Sequence, residues 1–158
     1  MKKILPLAIL IFSFSCAFAQ RPLYRYYNQK IKKHYYTTDF SEFRDGTRDV
    51  RAEGVSCKVF AAGTREPGLT PVWRLLNAQT GDHYYTTAKY VPGRDLRGYT
   101  YEGVAFYVFR YKVPGSIALL EYYSPSQADH FYTTDRNELG PGSEGYVFNT
   151  PIGFVYPK

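Results

Sequence analysis

Short runs of alternating apolar and polar residues dominate the chain after its first nineteen residues. The run "VWRLLN" is followed by the turn-forming stretch "NAQTGD" and then by "HYYTT", which together predict a β-hairpin. A polar link, "AKYVPGRDLRGYT", leads to "YEGVAFYVF", which predicts a third strand. No sustained 3.6-residue pattern is present in this part of the sequence, so we expect a mainly β protein.

The same order of segments occurs three times, around "KKHYYTT", "GDHYYTT" and "ADHFYTT". A histidine marks each copy, with spacings of 49 and 47 residues (His34, His83 and His130). A branched residue in the third strand recurs at spacings of 49 and 48 (Val55, Val104 and Ile152). Such a period is typical of a repeat architecture, and closure would protect the strand edges. We therefore expect an all-β fold of three ~48-residue repeats closed around a pseudo-threefold axis, either a β-trefoil or a small propeller-like ring.

The first nineteen residues have the pattern of a secretory signal peptide. Two lysines precede an apolar run from Ile4 to Phe14, and the stretch ends in "AFA". Such a segment is too short and wrongly flanked for a membrane span. We predict a signal peptide at residues 1–19, a single three-repeat domain at 20–158, and a secreted protein, periplasmic or extracellular.

Composition narrows the classes of function. The chain has 17 tyrosines and 11 phenylalanines, which favour sheets. Removing Lys2 and Lys3 with the signal peptide lowers the net charge from +6 to +4. The sequence contains no block of like charges of the kind that binds nucleic acids. Cys57 would be the one cysteine left, so no disulfide is expected within the chain.

Strings of the form YRLYN, DHFYTT and GYxxEGVAxYVF resemble a family of secreted repeat domains catalogued as a domain of unknown function. The resemblance extends from Leu23 to Tyr156 and is best in the second repeat. Lys33 departs from it, standing where the other repeats have Asp82 and Asp129. The family occurs in bacteria and fungi, sometimes beside extracellular peptidases or glycosidases. The resemblance implies an extracellular accessory or binding domain and supplies no catalytic residue.

The repeated histidines and acids have catalytic and structural interpretations. Three histidines at one axis could bind zinc, but each could instead bond a backbone carbonyl or its adjacent aspartate. Glu53 and Glu102 are repeated acids, and capping of local backbone donors or pairing with Arg25 and Arg74 suits them better than paired-carboxylate catalysis. Sequence motifs for nucleophilic or phosphate chemistry are absent. We therefore expect no enzyme activity, no metal and no cofactor.

Binding is the class of function that remains. Sugars present apolar ring faces bordered by hydroxyls, which suit an aromatic side chain beside fixed polar groups. The predicted ligand-binding residues are Asn28, His34, Tyr36, Trp73, Asn77, Asp82, His83, Tyr85, Asp129, His130 and Tyr132. We expect recognition of a glycan or cell-surface polysaccharide, without nucleic acid or stable membrane insertion. The alternatives are a module that binds extracellular proteins and, less favoured, a hydrolase.

Overall fold

A computed structural model describes residues 20–88 and 98–158. These stretches form nine strands: β1 (Gln20–Asn28), β2 (Lys33–Thr37), β3 (Val50–Phe60), β4 (Leu69–Asn77), β5 (Asp82–Thr86), β6 (Tyr99–Phe109), β7 (Ile117–Ser124), β8 (Asp129–Thr133) and β9 (Val147–Val155). Their helical content is one 3₁₀ turn, Phe40–Glu42, and one short helix, α1 (Arg136–Leu139). The all-β prediction is confirmed. The predicted signal peptide and most of the second link lie outside the described residues.

Each of the three hairpins turns just before its second strand. The residue at this point has a positive φ in all three: 56° at Lys32, 75° at Gly81 and 49° at Ala128. Glycine adopts this conformation without steric cost, whereas lysine and alanine are held there against their preference. The turn chemistry read from "NAQTGD" is therefore best satisfied in the second hairpin.

Each hairpin pairs with the strand that follows it along the chain. Strand β1 pairs with β2 and β3, β4 with β5 and β6, and β7 with β8 and β9, all antiparallel. The ladder between the first and third strands is irregular on both sides of a two-residue segment in each unit. The second residue of that segment is Arg25 in β1, Arg74 in β4 and Glu121 in β7. Irregularities of this kind re-aim side chains, and they fall at corresponding positions in the three units.

The strands form a sheet that stays open. Its order is β2-β1-β3-β6-β9-β7-β8, with β4 and β5 joined through β6. The units are linked by single residue pairs, Phe60 with Tyr107 and Phe109 with Phe154, because only the ends of their third strands meet. An isolated bridge joins Lys58 to Tyr156. The expected closed ring of strands is thus not found among the described residues.

One main core lies where the three units face each other. Every unit contributes buried side chains from its first strand, its third strand and its hairpin. The fully buried members include Leu23, Val72 and Leu119 from the first strands, and Cys57, Val108 and Val155 from the third strands. Two smaller clusters lie under the first and third links. None of the helical segments in the described parts has the length and apolarity needed to cross a membrane.

Candidate functional site

Three predicted site residues, Tyr36, Tyr85 and Tyr132, lie in the core, each at most 1% exposed. The Tyr36 hydroxyl donates to the Tyr132 carbonyl at 2.9 Å and accepts from the Tyr132 N–H at 2.8 Å. The Tyr85 hydroxyl does the same with Tyr36, and the Tyr132 hydroxyl with Tyr85. Their rings meet edge to face at 5.3–5.6 Å. The prediction that these tyrosines contact a ligand is therefore corrected: they join the hairpins and are not accessible.

Two of the three histidines are bonded by an aspartate from another hairpin. Asp129 accepts from the backbone N–H of His34 at 2.9 Å and lies 2.7 Å from its Nδ1. Asp82 makes the same two contacts with His130, at 2.9 and 2.6 Å. The interpretation in which each histidine bonds a nearby backbone carbonyl or its adjacent aspartate does not describe His34 and His130, whose aspartates lie 95 and 48 residues away. These groups fix the hairpins relative to each other.

A tyrosine hydroxyl completes each pair by donating to the aspartate: Tyr146 to Asp129 at 2.5 Å, and Tyr99 to Asp82. Burial opposes ionisation of Asp82, but hydrogen bonds from His130 and Tyr99 outweigh it and lower the pKa of Asp82. The Asp82 carboxylate is therefore ionised at neutral pH. Its role is structural, because its two carboxylate oxygens bond His130 and Tyr99.

The third histidine, His83, lacks this aspartate because Lys33 occupies the equivalent position. The Lys33 ammonium donates to the carbonyls of Ile31, Lys32 and Gln127, at 3.1, 3.4 and 2.6 Å. His83 contacts Glu102 through Nε2, at 3.5 Å. Burial lowers the pKa of His83.

The remaining predicted residues are in the turns and on a strand. The Asn28 side chain accepts from two backbone N–H groups of its own turn, at 3.1 and 3.3 Å. Asn77 does the same in the second hairpin, at 3.0 and 3.2 Å. Trp73 packs against Tyr101 with ring centroids 5.5 Å apart. The asparagines are turn residues in this structure, since their side-chain oxygens are taken by the backbone.

A cleft of about 380 Å³ lies between the third hairpin and the first unit, and we call it the Arg25 cleft. The Arg25 guanidinium lies between two carboxylates, 2.9 Å from Glu53 and 2.9 Å from Glu138. It also lies over the ring of Phe131, at 4.8 Å. His34 Nε2 is 3.7 Å from Glu53. The rest of the lining includes Tyr27, Arg51, Gln127, Glu144 and Tyr146.

A second cleft, of about 260 Å³, repeats this arrangement between the first hairpin and the second unit, and we call it the Arg74 cleft. Arg74 is 2.9 Å from Glu102 and 3.8 Å from Glu42, and it lies over the ring of Tyr35 at 5.2 Å. His83 takes the place of His34. The rest of the lining includes Ile31, Lys33, Phe43 and Val50. This cleft is smaller than the Arg25 cleft, and more of its lining residues are apolar.

The arginines project into the clefts because each lies between two ladder irregularities and opposite a glycine. Arg25 pairs with Gly54 and Arg74 with Gly103. The predicted pairing of these arginines with Glu53 and Glu102 is confirmed. Their second carboxylates, Glu42 and Glu138, were not predicted, although both follow the second strand of a hairpin by a similar distance. That shared position in the sequence is the feature from which Glu42 and Glu138 could have been predicted.

The third boundary between units differs from the other two. Glu121 stands where they have an arginine, and it pairs with Thr150 in the ladder instead of with a glycine. Asn149 donates to the Glu121 carboxylate at 2.6 Å. Burial raises the pKa of Glu121, which is 1% exposed. The charge pattern of the two clefts is therefore not repeated at this boundary.

The carboxylates of the clefts are suited to accept hydrogen bonds. Burial opposes ionisation of Glu138, but hydrogen bonds from Arg25 and Thr133 lower its pKa. A general acid in a glycosidase needs a raised pKa, and Glu138 has the reverse. In residues 20–88 and 98–158 no group of three His, Cys, Asp or Glu side chains is arranged to hold a metal ion. Each cleft thus offers fixed donors and acceptors around an aromatic ring.

Comparison with known families gives one result. The model of a family described as Domain of unknown function (DUF5648) matches residues 22–149. No match was found among curated proteins or among solved structures.

Proposed function

The chain belongs to the domain-of-unknown-function family DUF5648, and from that premise we propose that it is a secreted, non-catalytic module that binds glycans. The ligand-contacting surfaces in this proposal are the Arg25 and Arg74 clefts. In this proposal the residues that line the two clefts contact the sugar, and the buried tyrosines do not. The ligand would be part of a cell-surface or extracellular polysaccharide.

The observation that carries the proposal is the recurrence of one polar arrangement in two clefts. Each cleft fixes a guanidinium between two carboxylates, beside an imidazole and above an aromatic ring. A sugar hydroxyl both donates and accepts hydrogen bonds, so a set of fixed donors and acceptors suits it. Their volumes, about 260 and 380 Å³, are near the lower end of ligand sites, roughly 300–1,000 Å³. A cleft of this size suits one or two sugar rings.

We include in the proposal that the three units are repeats arranged about a pseudo-threefold axis, in the manner of a β-trefoil. The cycle of hydrogen bonds through Tyr36, Tyr85 and Tyr132 supports this arrangement. So do the ladder irregularities, which fall at corresponding positions in each unit. Two similarly built clefts on one domain would engage one polymer at two points, which raises avidity without a tight single site.

The non-catalytic part of the proposal rests on the state of the carboxylates. Glu53 and Glu138 both pair with Arg25, and the lowered pKa of Glu138 makes it a poor proton donor. An ion pair that holds Glu138 ionised stabilises a binding site but does not supply a general acid from that carboxylate. Secretion follows from the predicted signal peptide.

Glycan-array binding of the purified chain, residues 20–158, tests the proposal. Arg51 lines the Arg25 cleft with its side chain 58% exposed, so Arg51→Ala should weaken binding by about tenfold while leaving the fold intact. The matched control is Arg65→Ala, the same change at an exposed loop position outside both clefts. Equal binding by the two variants, or a folded protein that binds no glycan, would contradict the proposal.

A protein partner is the second candidate, and one exposed pair favours it. Val147 and Phe148 at the start of β9 are 61% and 36% exposed. Adjacent exposed apolar side chains of this kind are common at protein interfaces. If the array is negative, Phe148→Ser should be compared with wild type in a binding screen against extracellular proteins.

A further inference from the structure

The Arg74 cleft differs from the Arg25 cleft by one exchange that changes its charge. In the Arg25 cleft, the Asp129 carboxylate bonds both the backbone N–H and Nδ1 of His34. Lys33 holds the corresponding position beside His83. Among the residues that the structure describes, no side chain accepts from the backbone N–H of His83, and His83 Nδ1 has no hydrogen-bond partner.

The exchange also places a buried positive charge at a point where the described residues supply no counter-ion. Lys33 is 7% exposed, and its ammonium donates to the carbonyls of Ile31, Lys32 and Gln127. It forms no salt bridge with any carboxylate of residues 20–88 and 98–158. A buried charge is costly unless it is paired. Arg74 is paired with both Glu102 and Glu42, so with Lys33 the cleft holds two cations and two carboxylates. Of the two cations, it is Lys33 that no described carboxylate contacts.

We propose that the Arg74 cleft binds the carboxylate of an acidic sugar, a uronic acid residue, against the backbone N–H and Nδ1 of His83. The ligand's carboxylate would occupy the role that Asp129 plays beside His34, with the Lys33 ammonium supplying the compensating charge. This inference rests on the proposed glycan binding and names the class of sugar for one of its two clefts. The Arg25 cleft, in which Asp129 is already present, takes neutral sugar residues.

Binding of this kind takes up a proton. His83 Nε2 lies 3.5 Å from Glu102, so in the neutral ring the proton on Nε2 leaves Nδ1 as an acceptor. A carboxylate at Nδ1 requires the imidazolium, which would then bridge two carboxylates as His34 lies between Asp129 and Glu53. Affinity should therefore rise as the pH falls from 8 to 5, by up to about tenfold per pH unit.

The charged and titratable groups that face His83 set the size of this effect. They come from every element packed against it: Lys33 and Tyr35 on β2, Glu42 in the 3₁₀ turn, Arg74 on β4, Asp82 on β5 and Glu102 on β6. Burial lowers the pKa of His83, whereas Glu102 acts to raise it. A second carboxylate from the ligand would act in the same direction as Glu102, which is the physical origin of the proton uptake.

Titration calorimetry with tetragalacturonate and its methyl ester tests the inference on residues 20–158. The acid should bind wild type at least about tenfold more tightly than the ester at pH 6. Lys33→Asp should abolish this preference, because it supplies the internal carboxylate that His34 and His130 have. The matched control is Lys30→Asp, the same charge change at an exposed position of the same turn, which should keep the preference.

Further readouts separate the inference from a general effect of charge or folding. His83→Phe keeps a ring beside Tyr35 and should remove both the preference for the acid and its pH dependence. Melting temperatures establish that each variant is folded. Equal losses in Lys33→Asp and Lys30→Asp, or equal binding of acid and ester, would overturn the carboxylate site. In that case neutral glycans on the array would still support the glycan proposal, and their absence would overturn that as well.

Discussion

Removal of a single hydroxyl from Tyr85 tests the contacts that hold the hairpins together. The Tyr85 hydroxyl donates to the Tyr36 carbonyl at 2.7 Å and accepts from the Tyr36 N–H at 2.9 Å, in a fully buried position. Tyr85→Phe keeps the ring and leaves two buried backbone groups unpaired. Each loss costs about 1–1.5 kcal/mol, so we expect the free energy of unfolding to fall by about 2–3 kcal/mol.

Urea denaturation followed by fluorescence measures this change. The matched control is Tyr111→Phe, the same deletion at a side chain that is 70% exposed, which should alter stability by less than about 0.5 kcal/mol. The melting temperature of Tyr85→Phe should fall by about 5–10 °C. A loss of unfolding free energy no larger than that of the control would refute the reasoning, because it would mean that the Tyr85 hydroxyl makes no buried hydrogen bonds.

The same logic extends to the other two tyrosines, because their hydroxyls make the same pair of bonds. Tyr36→Phe and Tyr132→Phe should each cost about as much as Tyr85→Phe, near 2–3 kcal/mol. Similar values would support the proposed equivalence of the three units. A single dominant position would argue against it.

Two further predictions concern groups outside the tyrosine cycle. The pKa of Asp82 is lowered in the folded state, so its contribution to stability is present above its unfolded pKa of about 3.9 and is lost as the pH falls through the folded value. Asp82→Asn should therefore lose about 2–3 kcal/mol at pH 7 and show a weaker loss of stability in acid than wild type, as measured by urea denaturation from pH 7 to 2. Burial raises the pKa of the Cys57 thiol to about 12, so a thiol reagent at pH 8 should leave it unmodified in native protein and modify it fully in guanidinium chloride, as read by mass spectrometry.

Local patterns predicted the strands because their causes are local. The alternation in "VWRLLN" and "HYYTT" and the turn at Gly81 lie within a few residues of each other, and they produced β4 and β5 as expected. Alternation assigns the side chains of a strand to two faces, but it does not say which face is buried, and in β2 and β8 every residue is buried. For this reason Tyr85 was expected at a ligand and is found in the core.

The contacts between units could not be read from the sequence in the same way. The partner of His34 is Asp129, 95 residues further along, and the adjacent residue Lys33 has no part in that pair. The departure of Lys33 from the repeat is visible in the sequence. Its consequence falls on His83 in the next unit, and only the arrangement of the three hairpins shows this.

The candidate clefts and the contacts that hold the hairpins share residues, and this links binding to stability. His34 bonds Asp129 of another hairpin and also lines the Arg25 cleft, while Arg25 joins Glu53 of its own unit to Glu138 of another. A ligand that binds there contacts two units at once and binds only when they are assembled. It should therefore stabilise the folded state by RT ln(1 + [L]/Kd), about 2.7 kcal/mol at a hundredfold excess over Kd. The shared residues make thermal stabilisation a reporter of a cleft ligand, whereas a sugar attracted by net charge alone would bind the unfolded chain as well and would leave the melting temperature unchanged.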